Sequence, residues 1–144
     1  MDTKFAVALH SMIFISESEE SMTSETLAKT LNTNPSYVRR ILSSLSKAGL
    51  INSASKSKGC SLLKAPEDIT LTEIYDAVEP GVSKINMDLS QKPNTKIQLG
   101  KCEKPVIEEL FNDMEGAIEK VLSERTLRDL IDSILKNMKE SDQH

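Results

Sequence analysis

The segment Asn32-Thr33-Asn34-Pro35 constrains this chain more than any other. It separates two short stretches with helical apolar spacing, and its residues carry turn chemistry. Asn is the non-glycine residue best suited to a left-handed turn position. Asn-Pro then restarts a helix, with Asn34 as N-cap and Pro35 at the first helical position. Upstream, a helix begins near Ser24 as N-cap, has Glu25 in its first turn, and carries Leu27, Ala28 and Leu31 as its apolar stripe. Downstream, the next helix runs to about Ala48 and closes at Gly49 in a left-handed C-terminal position. Two short helices joined by such a turn form a helix-turn-helix. Ala28 leaves room for the second helix to cross closely. Val38, Ile41, Leu42 and Leu45 form the buried face of that second helix, and Ser36, Arg39, Arg40, Ser43 and Lys47 lie opposite.

Charge reinforces this pattern. The net charge of the 144 residues is −4, which by itself argues against nucleic acid. Its distribution reverses that reading. Residues 1–66 hold eight basic and five acidic side chains, whereas residues 67–144 hold ten and seventeen. From Thr26 to Pro66 there are seven Lys and Arg and no acid. With 22 Asp and Glu in the chain, an even spread would place about six in that run. A cationic helix face without carboxylates suits a major-groove reader: cations offset phosphate charge, and Arg can pair in a bidentate manner with guanine. Tyr37 either sets its hydroxyl on a phosphate or touches a base. Thr26, Ser36, Tyr37, Arg39, Arg40 and Ser43 are the candidate contacts from the two helices.

Leu50–Asn52 and Ser61–Lys64 read as two short strands joined by the Ser- and Lys-rich residues 53–59. This is a small hairpin, or wing, with Lys56 and Lys58 at its tip for a phosphate or minor-groove contact. Elsewhere the first apolar pattern runs from Thr3 to Ile15, with Phe5, Leu9, Met12 and Ile13 on one face and Ala6 and Ala8 widening it. Thr70-Leu71-Thr72-Glu73 is a capping box opening a helix to about Val78, which Pro80-Gly81 ends. Residues 82–101 read as an irregular linker. Lys104-Pro105 opens a long helix with apolar positions from Val106 to Leu122, and a last helix carries Leu127 to Met138. The long helix is either a core helix or a subunit interface. Half-site readers gain affinity and specificity by pairing, which favours the interface and a homodimer on a palindromic operator.

Composition sets outer limits. The chain is 38% apolar with no stretch long enough to span a bilayer, and it shows no secretory pattern. No Ser-His-Asp set, phosphate-cradling glycine loop or metal motif appears, so an enzyme is not expected, nor a metal or other cofactor. Of the two His, His10 reads as structural. The only cysteines, Cys60 and Cys102, cannot form a disulfide framework, so the cytoplasm is the default compartment.

Asn34-Pro35-Ser36-Tyr37-Val38-Arg39-Arg40-Ile41-Leu42, then Lys47-Ala48-Gly49-Leu50, then Pro66-Glu67-Asp68-Ile69-Thr70-Leu71, resemble the Rrf2 family of bacterial transcription regulators, with its IscR and CymR types. The resemblance covers most of residues 1–79 and implies a mainly α, winged helix-turn-helix homodimer. A long C-terminal helix would dimerise it, and its members mostly repress genes and sense iron–sulfur, redox or cysteine status. Cluster-binding members carry three cysteines before the long helix. Here Cys102 stands alone, and one thiolate cannot hold an iron–sulfur cluster. Cys60 stands where the family often has Tyr in its wing.

These readings define a DNA-binding domain over residues 1–80, a linker over 81–103 and a helical dimerisation region over 104–144. Lys101 and Lys104 flank Cys102 just before the expected helix start, a setting that favours thiolate. Cys102, with Cys60 near Lys58 and Lys64, is therefore a redox-sensing candidate; otherwise both are ordinary small apolar side chains. A protein-interaction module, docking an enzyme partner through the wing or the acidic half, is the alternative function.

Overall fold

The computed structural model describes residues 3–52, 59–80 and 94–142. Six α-helices order the described chain: α1 Thr3–Glu17, α2 Ser24–Thr30, α3 Pro35–Lys47, α4 Leu71–Val78, α5 Gln98–Glu124 and α6 Leu127–Asp142. A single 3₁₀ turn, Pro66–Asp68, precedes α4. Helix α1 packs on α3, α4 and α6, α2 packs on α3, and α4 touches both α3 and α5.

The core is continuous across these helices. Phe5, Ala8 and Met12 of α1 meet Leu27, Val38, Ile41 and Leu45 of the helix pair, and Ile74 and Tyr75 of α4. The rings of Phe5 and Tyr75 meet edge to face, 5.2 Å between centroids, an arrangement that matches the positive edge of one ring to the negative face of the other. Leu9 and Ile13, expected on the buried face of α1, are only partly buried. Ala8, which widens that face, is fully buried while Ala6 is exposed, and Ser11 is buried beside it, because α1 is apolar nearly all round and its neighbours, not its periodicity, choose its inner side.

Helix ends follow local chemistry. Thr23, not Ser24, caps α2: its hydroxyl accepts the Thr26 amide at 3.1 Å. Adjacent hydroxyl residues are equivalent caps by type, and the chain path selects one. Thr70 and Glu73 form the expected reciprocal capping box of α4. Lys64 joins it, its Nζ 2.6 Å from the Glu73 carboxylate. Burial pushes the Glu73 carboxyl up, but hydrogen bonds from Lys64 and Thr70 and the Lys64 charge outweigh it, so Glu73 titrates below its ordinary value.

The C-terminal half returns to the N-terminal half. Thr70 and Thr126 form an antiparallel bridge. The Leu71 amide donates to the Arg125 carbonyl at 3.0 Å, and the Leu127 amide to the Ile69 carbonyl at 2.9 Å. Thr126 and Asp129 cap α6 reciprocally, each side chain accepting the other's amide. Leu127 and Ile131 are fully buried, so α6 is seated on the 3₁₀ turn and α1.

Helix α5 starts at Gln98, not at Lys104. Pro105 is therefore inside the helix rather than at its first position, leaving the Lys101 carbonyl without its usual helical donor. The described part of the expected linker is correspondingly short, and residues 81–93 lie outside the described residues.

Candidate nucleic-acid interface

Two identical helix endings shape the helix-turn-helix. At the end of α2, Asn32 takes φ +55°, the Asn32 amide donates to Lys29, and the Thr33 amide to Ala28 at 2.9 Å. At the end of α3, Gly49 takes φ +79°, its amide donates to Ser46, and the Leu50 amide to Leu45 at 3.1 Å. Both are left-handed C-terminal motifs that satisfy otherwise orphaned carbonyls. Between them, the Asn34 side chain accepts the Ser36 amide at 2.7 Å, with Pro35 following the cap. The turn thus fixes where α3 begins and which face it turns outward.

That outward face is as expected from the spacing. Val38, Ile41, Leu42 and Leu45 are buried, while Ser36, Arg39, Arg40, Ser43 and Lys47 are exposed. Among the described residues, Arg39, Arg40 and Lys47 enter no ion pair. Tyr37 is half-buried against the core, and the Arg40 guanidinium lies 5.6 Å from its ring centroid. Thr26 stands apart from this face. It is half-buried in the first turn of α2, and its hydroxyl lies 2.9 Å from that of Thr23.

Of the two expected strands, Leu50–Asn52 and Ser61–Lys64, the described residues form only a single antiparallel bridge, at the base of the expected wing. Ile51 bridges Leu62, the Asn52 amide donates to Ser61, and the Leu63 amide to Leu50. The Asn52 side chain accepts the Ser61 amide at 2.8 Å. Lys56 and Lys58 lie outside the described residues. Sequence reasoning missed how the returning segment is held. Gly59, at φ +73°, passes against Met22 in the α1–α2 connection, and the Cys60 amide donates to the Met22 carbonyl at 2.9 Å. The one local signal is a glycine beside a small residue.

Both cysteines are free thiols in different settings. Cys60 is half-buried, and that burial pushes its thiol up, against thiolate formation. Cys102 is exposed within α5, not ahead of a helix start as the sequence suggested. It lines an open hollow of about 770 Å³ with Thr95, Lys96, Gln98, Lys101 and Pro105. None of those neighbours is a soft metal ligand. Among the described residues, no three His, Cys, Asp or Glu side chains gather at ligand spacing. The donor set does not fit an iron–sulfur cluster, which takes four ligands.

A helix pair with an outward basic face, followed by a pinned hairpin base, is the winged helix-turn-helix of a transcription regulator. The chain belongs to the Rrf2 family, whose model, described as an iron-dependent transcriptional regulator, matches residues 1–133. It is 34% identical over 134 residues to YwnA of Bacillus subtilis, assigned by name to the HTH-type transcriptional regulators. That alignment covers 93% of this chain and 98% of YwnA. CymR of B. subtilis, named the global cysteine regulator, has a similar structure. The TM-score is 0.68 at 25% identity, covering 92% of this chain and 96% of CymR. T. potens IscR shares the fold, with a TM-score of 0.66 at 21% identity over 98% of this chain and 89% of IscR. These relatives are regulators rather than enzymes. Among the described residues, no helix is long and apolar enough to cross a membrane.

Proposed function

We propose that this chain is a homodimeric repressor that binds a roughly palindromic double-stranded operator. The observation that carries this reading is the α3 face of Ser36, Arg39, Arg40, Ser43 and Lys47, exposed and free of carboxylates. Helix α3 enters the major groove, with Ser36 and Arg40 near base edges and Lys47 toward phosphate. The wing, through Lys56 and Lys58, reaches the neighbouring backbone or minor groove. Thr26 supports the phosphate contact from α2. Bound across a promoter, such a dimer excludes polymerase, which is repression by occlusion.

Dimerisation is supported by surface. Leu99, Val106, Leu110, Met114 and Val121 of α5 share one face, and all are exposed, Leu99 by 77% and Val106 by 63%. Residues 1–80 then form the DNA-binding domain and α5 with α6, from Gln98 onward, the dimerisation region, with the acidic half facing away from DNA. Two unpaired thiols agree with a cytoplasmic setting.

Cys102 is the stronger redox candidate because it is exposed whereas Cys60 is half-buried. Its oxidation by a peroxide would give a sulfenic acid, with the peroxide reduced to water or alcohol. Operator binding by wild type and Cys102→Ser, with and without peroxide, tests this; equal binding in all arms removes Cys102 as sensor. The DNA-binding reading itself is tested by selecting duplexes from a random library. The expected product is two inverted half-sites about 34 Å, or a multiple, apart. A library that yields no enriched sequence contradicts it. In the alternative reading, the wing or the acidic half docks an enzyme partner, and the chain retains no duplex in a gel shift. Sedimentation of the purified chain at about 32 kDa supports the dimer, and at about 16 kDa contradicts it.

A further inference from the structure

Helical spacing places Ser36, Arg40, Ser43 and Lys47 along the middle of the outward α3 face. Arg39 and Tyr37 flank it on opposite edges. The two arginines therefore differ in surroundings as well as position. The guanidinium of Arg40 lies 5.6 Å from the centroid of the Tyr37 ring, and that ring is packed against the core. Among the described residues, no ring stacks with Arg39. A guanidinium carbon 5.6 Å from a ring centroid is within cation–π range, and a group held on one side by a ring keeps N–H donors available on the other. Bidentate recognition of guanine needs such donors, presented in one orientation.

We propose that Tyr37 is a positioning residue for Arg40. Its core-anchored ring holds the Arg40 guanidinium so that the N–H edge meets a guanine in the major groove. Tyr37 thereby sets sequence preference without itself reading a base, and Arg39 at the opposite edge contacts phosphate. This inference rests on the DNA-binding reading above.

The test uses the full chain, a duplex enriched from a random library, and a shuffled duplex of equal composition. Anisotropy at one fixed salt gives the ratio of the two affinities. Tyr37→Phe keeps the wild-type ratio, whereas Tyr37→Leu lowers it about two- to five-fold, the scale of a solvent-exposed cation–π contact. In an Arg40→Ala background, Tyr37→Leu changes the ratio no further. Arg39→Ala weakens binding to both duplexes alike. The proposal is overturned if Tyr37→Phe loses as much as Tyr37→Leu, since the hydroxyl would then be the contact. It is also overturned if Tyr37→Leu has its full effect without Arg40. A wild type that binds neither duplex removes the DNA-binding reading beneath it, a distinct outcome. One further measurement needs no variant. In the free protein, the Arg40 δ-methylene protons are shifted upfield relative to those of Arg39 by the Tyr37 ring current, and remain so in the specific complex. Equal shifts for the two arginines would contradict the stacking.

Discussion

A β-carbon on Gly59 would stand 2.9 Å from the Met22 amide nitrogen and 3.0 Å from its carbonyl oxygen. The returning segment of the wing therefore runs against backbone, which cannot move aside as a flexible side chain could. Gly49 is the natural control. It has a similar positive φ, +79° against +73°, but a β-carbon there would meet nothing within 4 Å.

Gly49→Ala should cost about 1 kcal/mol, the penalty for a β-carbon in left-handed backbone. Gly59→Ala should cost clearly more, about 2–4 kcal/mol, because steric displacement adds to the same strain. Urea unfolding of the two variants measures the difference. Equal losses would mean that the Met22 contact relaxes freely.

Glu73 makes stability depend on pH. Its carboxyl titrates below its ordinary value of 4.5 because Lys64 and Thr70 hold the charged form. The unfolded chain thus binds the proton more readily than the folded one. The stabilisation is present above about pH 4.5 and is lost as pH falls through the folded value. Glu73→Gln should lower the melting temperature at pH 7 and flatten its decline in acid. The melting temperatures of wild type and variant should converge once the pH has fallen below the folded value, where the carboxyl is protonated in both states.

Leu110 sits in the exposed apolar face of α5, half exposed in the single chain. Leu110→Glu would bury a charge in a paired interface but place it harmlessly in water on a lone chain. The expected result is a monomer with unchanged helical circular dichroism and weaker operator binding. Sedimentation equilibrium checks the first point, and a variant that sediments like wild type moves the interface elsewhere.

Arg40 and Lys58 should fail differently. Arg40→Ala should cost about 1–3 kcal/mol on the specific duplex and little on a shuffled one, as expected for a bidentate base contact. Lys58→Ala should weaken both alike and flatten the salt dependence by about one unit of slope. Equal losses on both duplexes for Arg40→Ala would make it a phosphate contact.

Much of the helix-turn-helix was legible because its determinants are local. Asn32, Asn34-Pro35 and Gly49 each dictate a backbone conformation within a few residues, and the Thr70–Glu73 box spans one turn. The period of Val38, Ile41, Leu42 and Leu45 then fixes which face of α3 is outward. What escaped was non-local. The Thr70–Thr126 bridge joins segments far apart in sequence, and nothing near either residue signals the other. The pinning of Gly59 on Met22 is of the same kind. The start of α5 was misplaced for a different reason. Pro105 suits a first helical turn, so it read as a beginning, yet the helix accommodates it and extends back to Gln98. That shift also moved Cys102 from a loop into a helix.

In the function proposed above, the outward face of α3 binds duplex DNA through its uncompensated cations. The most direct measurement is the affinity of the full chain for its selected duplex across a series of salt concentrations, beside Arg39→Ala/Arg40→Ala/Lys47→Ala. Wild-type affinity should fall linearly in a log–log plot, with the triple variant binding more weakly and with a shallower slope. Retention of wild-type affinity and slope by the triple variant would contradict the account.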